Sequence, residues 1–141
     1  MGDVTEDLIT TRLETLARNV EASYGEAVVV QRPDIWEVAL SDAAGAGISV
    51  EWCDNGPGTH LLYVDVGRHS VTLHRDDDSV DYLEQIVRAA VTGGITESRR
   101  PGRSRLEIPL ADGMTATESG YGVSFARDQP HTYPAYSTGR A

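Results

Sequence analysis

Apolar residues recur along the first part of the chain at the spacing of a helix. Ile9, Leu13, Leu16 and Val20 are three or four positions apart, so they fall on one side of a helix with 3.6 residues per turn. The pattern predicts a helix from about residue 3 to residue 22. Leu8 and Ala17 lie beside this apolar stripe.

The spacing then changes from helical to alternating, which indicates β-strands. The alternation favours one buried face carrying Trp36, Trp52, Val64 and Leu73. Turn sequences such as "DNGPG" separate the segments, so consecutive strands are expected to pair as an antiparallel meander. The predicted strands are "AVVVQ", "IWEVAL", "ISVEWC", "LLYVDV" and "SVTLHR".

A second helical pattern follows the predicted meander. It begins near Asp78 or Ser79 and ends at Gly93-Gly94. Preceding aspartates suit a helix N-terminus, where negative charge is favourable. The predicted inward stripe consists of Val80, Leu83, Val87, Ala90 and Val91.

The remaining segments predict hairpins and a tail. "ITES" and "SRLEIPL" flank the turn "RRPGR", and "MTATE" and "GVSFA" are expected to pair around Gly120 and Gly122. Residues 128–141 show no periodicity and are predicted to be flexible. The expected fold class is therefore α+β: a single domain over residues 1–127, in which two helices pack on one face of an antiparallel meander and C-terminal hairpins follow.

Charge is distributed unevenly along this 141-residue chain of net charge −10. Residues 1–98 hold eighteen acids and six arginines, which leaves −12, whereas residues 99–141 hold four acids and six arginines, which leaves +2. An acidic body repels phosphate, so nucleic acid is not the expected partner. A basic protein is the expected partner instead.

Motifs for catalysis and cofactor binding are missing from the sequence. Its four histidines and one cysteine have no zinc-ligand spacing, and the Gly-x-Gly of "GAGISV" precedes a predicted strand where a dinucleotide site needs a helix. There is no Gly-x-Ser-x-Gly elbow. We therefore expect no metal and no cofactor, and we lean against an enzyme. The N-terminus lacks a secretory pattern and the longest apolar runs are short, so a cytoplasmic protein with no membrane partner is expected.

The predicted sheet leaves one face toward solvent, and this face is the leading candidate for a binding site. Its candidate partner-binding residues are Glu37, Glu51, Tyr63, Asp65 and His74. Acids steer a basic partner toward the face, and an aromatic side chain can anchor it. The alternative is a solvated sheet face without a function.

Two further segments are secondary candidates. Arg99, Arg100, Arg103 and Arg105 surround Pro101-Gly102, where they form either a solvated turn or a contact for an acidic surface or a phosphate. Tyr133 and Tyr136 flank Pro134 and Ala135 in the predicted tail, which is either a docking segment, a disordered end or a segment that folds back over a sheet edge.

The order of elements and the negative charge resemble small bacterial immunity or inhibitor proteins. The resemblance implies a non-enzymatic module that neutralises a basic partner by electrostatic docking. It rests on architecture and charge, and no binding residue is carried over from those proteins. Three alternatives stay open: an acidic secretion chaperone or adaptor, for which a stable dimer is expected; a small enzyme with a dispersed active site; and a nucleic-acid-binding protein that uses the four arginines of the predicted hairpin. The sequence leaves the oligomeric state open.

Overall fold

A computed structural model describes residues 8–23, 27–32, 37–42, 45–54, 60–100, 102–121 and 130–136. Two helices and nine strands lie within these ranges. In chain order they are α1 (Leu8–Ser23), β1 (Ala27–Arg32), β2 (Glu37–Asp42), β3 (Val50–Asp54), β4 (Leu61–Val66), β5 (His69–His74), α2 (Asp77–Thr92), β6 (Thr96–Arg100), β7 (Arg103–Pro109), β8 (Thr115–Tyr121) and β9 (His131–Thr132).

The first sheet is the predicted antiparallel meander. Its five strands lie in the order β1-β2-β3-β4-β5. Trp52 pairs with Val64, and both are buried on the same face. Leu73 lies on that face and is partly buried against the core. The predicted register is therefore confirmed for these positions, whereas Trp36 lies outside the described residues.

Both predicted helices are present, and their apolar stripes face the core. Leu13, Ala17 and Val20 of α1 are buried, and residues 3–7 of the predicted helix lie outside the described residues. The start of α2 is fixed by Asp76, whose carboxylate accepts a hydrogen bond of 2.8 Å from the Ser79 backbone N–H. Every residue of its predicted inward stripe is buried.

Charged side chains connect the two helices across their exposed side. The Arg12 guanidinium of α1 lies 3.2 Å from Asp77, 2.6 Å from Asp81 and 3.0 Å from Glu84 of α2. These carboxylates are exposed, so solvent screens the pairs and their contribution to stability is small. The contacts nevertheless fix which side of α1 faces α2.

The second sheet contains the predicted arginine hairpin. Its four strands lie in the order β8-β7-β6-β9, and β6 and β7 form the hairpin. Gly102 at its turn has φ of 76°, a conformation that favours glycine. The predicted turn at Gly120 is wrong, because β8 continues through Gly120, which pairs with Ser104 of β7. The segment "GVSFA" lies outside the described residues.

Residues 130–136, predicted to belong to a flexible tail, are packed against the domain; we call them the C-terminal strap. Strand β9 pairs with β6. The Tyr136 backbone N–H donates to the Val91 carbonyl oxygen, and its hydroxyl donates to the carbonyl oxygen of Ile48. Only 2% of Tyr136 is exposed. The pairing with β6 agrees with the alternative of a tail that folds back over a sheet edge. The lack of periodicity predicted flexibility because tertiary contacts of this kind leave no local pattern in the sequence.

One hydrophobic core joins both helices, both sheets and the strap. Its largest fully buried side chains come from α2, the two sheets and the segment between α2 and β6, whereas α1 adds Leu13, Ala17 and Val20 and the strap adds Tyr136. The largest fully buried side chains are Trp52, Leu40, Leu62, Leu83, Ile86, Ile95, Leu106, Ile108, Val50, Val64, Val66 and Val80. The α+β fold with a meander sheet is therefore the fold of this protein.

Candidate docking face on the first sheet

The outer face of the first sheet brings the five candidate residues together. Side chains alternate between faces along each strand, so residues out of phase with the buried set lie on the opposite side. We call this side the docking face. It carries Glu37, Ala39, Ser41, Glu51, Cys53, Leu61, Tyr63, Asp65, Ser70, Thr72 and His74.

Two carboxylates oppose each other directly on the docking face. Glu51 of β3 and Asp65 of β4 are register partners. Directly opposed side chains have Cβ atoms about 4.5–5.5 Å apart, and like charges at this distance are destabilising. The Ser70 hydroxyl donates to one Asp65 oxygen at 2.7 Å, which relieves part of that charge. The pair nevertheless concentrates negative charge where a cation is favourable.

Tyr63 is an exposed aromatic side chain beside this pair. It is 46% exposed, and its register partners are Cys53 on one side and Thr72 on the other. Both partners have short side chains, which leave the tyrosine ring uncovered. Asp65 follows Tyr63 by two positions along the same strand, and Glu51 is a diagonal neighbour of Tyr63 on β3. One long side chain of a partner could therefore contact the ring and both carboxylates.

The other two candidates lie at the margins of this group. Glu37 is the register partner of Arg32 on one side and of Cys53 on the other. His74 pairs with Leu61 at the opposite border and is exposed. The predicted set therefore shares one face, but Glu51, Tyr63 and Asp65 form its compact centre.

Cys53 lies in the same row, between Glu37 and Tyr63. Burial raises the pKa of its thiol, and the negative charges of Glu37 and Asp54 raise it further. A raised pKa reduces the thiolate population, and the thiolate is the nucleophilic form. The environment of Cys53 therefore disfavours nucleophilic catalysis.

The arginine hairpin is divided by its register. Arg100 pairs with Arg103, and Ser98 pairs with Arg105, so these positions belong to one face of β6 and β7. Arg99 pairs with Ser104 and occupies a position of the alternate face. Arg103 and Arg105 are exposed, and Arg105 lies 3.9 Å from Glu107. By register, three of the four arginine positions therefore share one face of the hairpin and Arg99 has the opposite phase.

A buried polar cluster at the seam of the two sheets was missed by the sequence analysis. His69 of β5 and Glu97 of β6 have side chains 4% and 5% exposed, and Nδ1 of His69 lies 3.5 Å from Oε2 of Glu97. The Tyr133 hydroxyl donates to Oε1 of Glu97 at 2.8 Å. His69 lies two positions before the buried Val71 on the same face of β5, so the alternation in the sequence could have predicted that His69 is buried. Nothing local in the sequence indicated Glu97 or Tyr133 as its neighbours.

A second buried cluster fastens α1 to the first sheet. Asp54 and Arg75 have side chains 6% exposed, and Nε of Arg75 donates to Oδ1 of Asp54 at 2.6 Å. The Thr10 hydroxyl of α1 donates to Oδ2 of Asp54 at 3.0 Å and accepts from Nη2 of Arg75 at 2.8 Å. These groups satisfy one another within the fold and leave the docking face as the solvent-facing candidate site.

The described residues also limit two other kinds of site. They contain no group of three or more His, Cys, Asp or Glu side chains placed to hold a metal ion. Neither α1 nor α2, the helices described, combines the length and the apolarity needed to cross a membrane.

Comparison with known proteins finds no match for this chain. It matches no protein-family model, no curated protein and no solved structure.

Proposed function

We propose that the protein is a non-enzymatic binding module whose docking face receives a basic partner protein, in the manner of an immunity or inhibitor protein. The observation that carries the proposal is the direct opposition of Glu51 and Asp65 beside the exposed Tyr63. Opposed carboxylates destabilise a sheet through their mutual repulsion. A cation bound between them is attracted to both and offsets this repulsion.

The charge of the whole chain supports the same partner. A net charge of −10 attracts basic proteins over a distance and raises their association rate at low salt. The docking face then supplies the local contact, with the aromatic ring of Tyr63 as an anchor within the acidic field. The outward positions of β2 to β5 contain no lysine or arginine. On β1, Arg32 is the register partner of Glu37 at the border of the face, whereas Glu51 and Asp65 have no basic register partner.

The open form of the face favours binding over catalysis. Glu51, Tyr63, Asp65 and His74 would be the components of a dispersed active site, yet they stand on the solvent side of a sheet. Catalytic carboxylates need a desolvating wall to raise their pKa values. Among the described residues, buried ionisable side chains occur instead in the two buried clusters and at Asp42, which accepts a hydrogen bond from the Gly47 backbone N–H.

The test measures binding of a small basic protein, cytochrome c, with a control of matched charge. Glu51→Gln/Asp65→Asn removes two charges from the docking face, and Glu14→Gln/Glu21→Gln removes two from exposed positions of α1. We expect the first variant to weaken binding about tenfold at low salt and the second to weaken it much less, because adjacent charges act more strongly than distant ones.

Cys53 provides a second readout in the same experiment, since it is the single cysteine of the chain and lies on the docking face. Bound cytochrome c should slow alkylation of Cys53 in the wild type and in the α1 variant. Equal loss of binding in both variants, or alkylation of Cys53 at an unchanged rate, would reject the docking face as the site.

A further inference from the structure

We infer that the docking face selects arginine over lysine in its partner, with a guanidinium placed against the ring of Tyr63 and between Glu51 and Asp65. The inference rests on the proposed function, because it names the side chain that the face would receive. It goes further because it predicts a preference for arginine over lysine, which negative charge alone does not provide.

The position of Tyr63 is the first reason. Its ring is 46% exposed, and its cross-strand neighbours Cys53 and Thr72 are too short to cover it. A cation over an aromatic face is attracted by the electron-rich centre of the ring, and arginine occupies such positions more often than lysine. The planar guanidinium also stacks on the ring, whereas a compact ammonium group does not.

The two carboxylates are the second reason. Asp65 lies two positions along the strand from Tyr63, and Glu51 lies diagonally across the strand pair, where spacings of about 7–8 Å are within reach of long side chains. A guanidinium presents five N–H donors in a plane, so it can contact the ring with its face and the carboxylates with its edge. An ammonium group reaches the carboxylates as a point charge.

The contributions of charge and ring can therefore be separated. The carboxylates attract arginine and lysine peptides alike, and the ring adds a preference for arginine. Loss of the charges should weaken both peptides, whereas loss of the ring should reduce the preference and leave much of the common affinity.

The experiment measures the anisotropy of fluorescein-labelled nona-arginine and nona-lysine during titration with the full chain at low salt. We expect the wild type to prefer nona-arginine by about two- to fivefold, the size of an exposed cation–π contact. Tyr63→Leu should lower the preference toward that of a ring-free surface, and Tyr63→Phe should retain it because the aromatic face persists. Glu14→Gln/Glu21→Gln should leave the preference unchanged.

The outcomes distinguish the inference from the proposed function. If Glu51→Gln/Asp65→Asn weakens both peptides but Tyr63→Leu leaves the arginine preference intact, the inference is overturned and the proposed function stands. If Glu51→Gln/Asp65→Asn weakens binding no more than the α1 control, the proposed function fails and the inference fails with it. A circular dichroism spectrum of each variant, matching that of the wild type, shows that the fold is retained.

Discussion

The buried pair of Asp54 and Arg75 allows a quantitative prediction. Arg75→Met keeps the length and the apolar stem of the side chain but removes the charge, which leaves a buried carboxylate with the Thr10 hydroxyl and no guanidinium. The side chains of both partners are 6% exposed, so little water is available to replace the lost hydrogen bonds. Removing one partner of a buried ion pair costs about 3–5 kcal/mol, because the other charge is left uncompensated.

The expected loss is large enough for a standard denaturation assay. For a domain of this size, about 3–5 kcal/mol corresponds to a decrease in Tm of roughly 10–15 °C. Urea unfolding followed by tryptophan fluorescence should show a lower midpoint at an unchanged slope. Arg68→Met removes an exposed arginine from the turn between β4 and β5 and should change the free energy of unfolding by less than about 0.5 kcal/mol.

A double variant tests the physical cause. Arg75→Met/Asp54→Leu removes both charges, and apolar replacement of a whole buried pair is often neutral, so most of the lost stability should return. A loss below about 1 kcal/mol in Arg75→Met, or no recovery in the double variant, would show that water enters the cluster and that the pair is not isolated in the way we describe.

Two further predictions concern the strap and the start of α2. Tyr136→Ala should destabilise the fold by about 3–5 kcal/mol in urea unfolding because it empties a buried aromatic position, whereas Tyr136→Phe should cost roughly 1 kcal/mol for its hydrogen bond. If both variants unfold like the wild type, the strap is not packed as described. Hydrogen bonds from Ser79, mainly from its backbone N–H and also from its side chain, lower the pKa of Asp76. The charged carboxylate therefore stabilises the folded protein at pH values above the pKa of Asp76 in the unfolded chain. This stabilisation is lost as the pH falls through the pKa of Asp76 in the folded protein. The stability difference between wild type and Asp76→Ala, measured by urea unfolding from pH 7 to pH 3, should therefore shrink as the pH falls, and a constant difference would contradict the assignment.

Alternation was sufficient to predict the first sheet and the face on which its candidate residues lie. A strand with one buried face has only one register that keeps its apolar side chains dry, so Trp52 and Val64 also determine where Glu51 and Asp65 lie. The same logic extended to His69 and Asp54 would have revealed two buried polar positions. Their partners lie far away in sequence, and no local pattern encodes such pairs.

The errors of the sequence analysis occurred where tertiary contacts replaced local signals. Gly120 suggested a turn, yet it lies within β8 and is the register partner of Ser104 of β7. The His69 ring lies close to the backbone of Gly120. The lack of periodicity in the strap predicted flexibility, and folding back over a sheet edge was one of the alternatives. Tyr133 is held by its hydrogen bond to Glu97, and Tyr136 by its hydrogen bond to the carbonyl oxygen of Ile48. Both partners are distant in sequence and come close only in the folded protein.

Tyr136 and Ile48 are 88 positions apart in the chain, and this separation has a kinetic consequence. Contacts between such distant segments form only after the intervening chain has become organised, since closing a long loop costs entropy before the contact can compensate for it. We expect the strap to be among the last parts to dock during folding. The same segment should then be an early opening unit in the native protein, where amide hydrogen exchange would detect it.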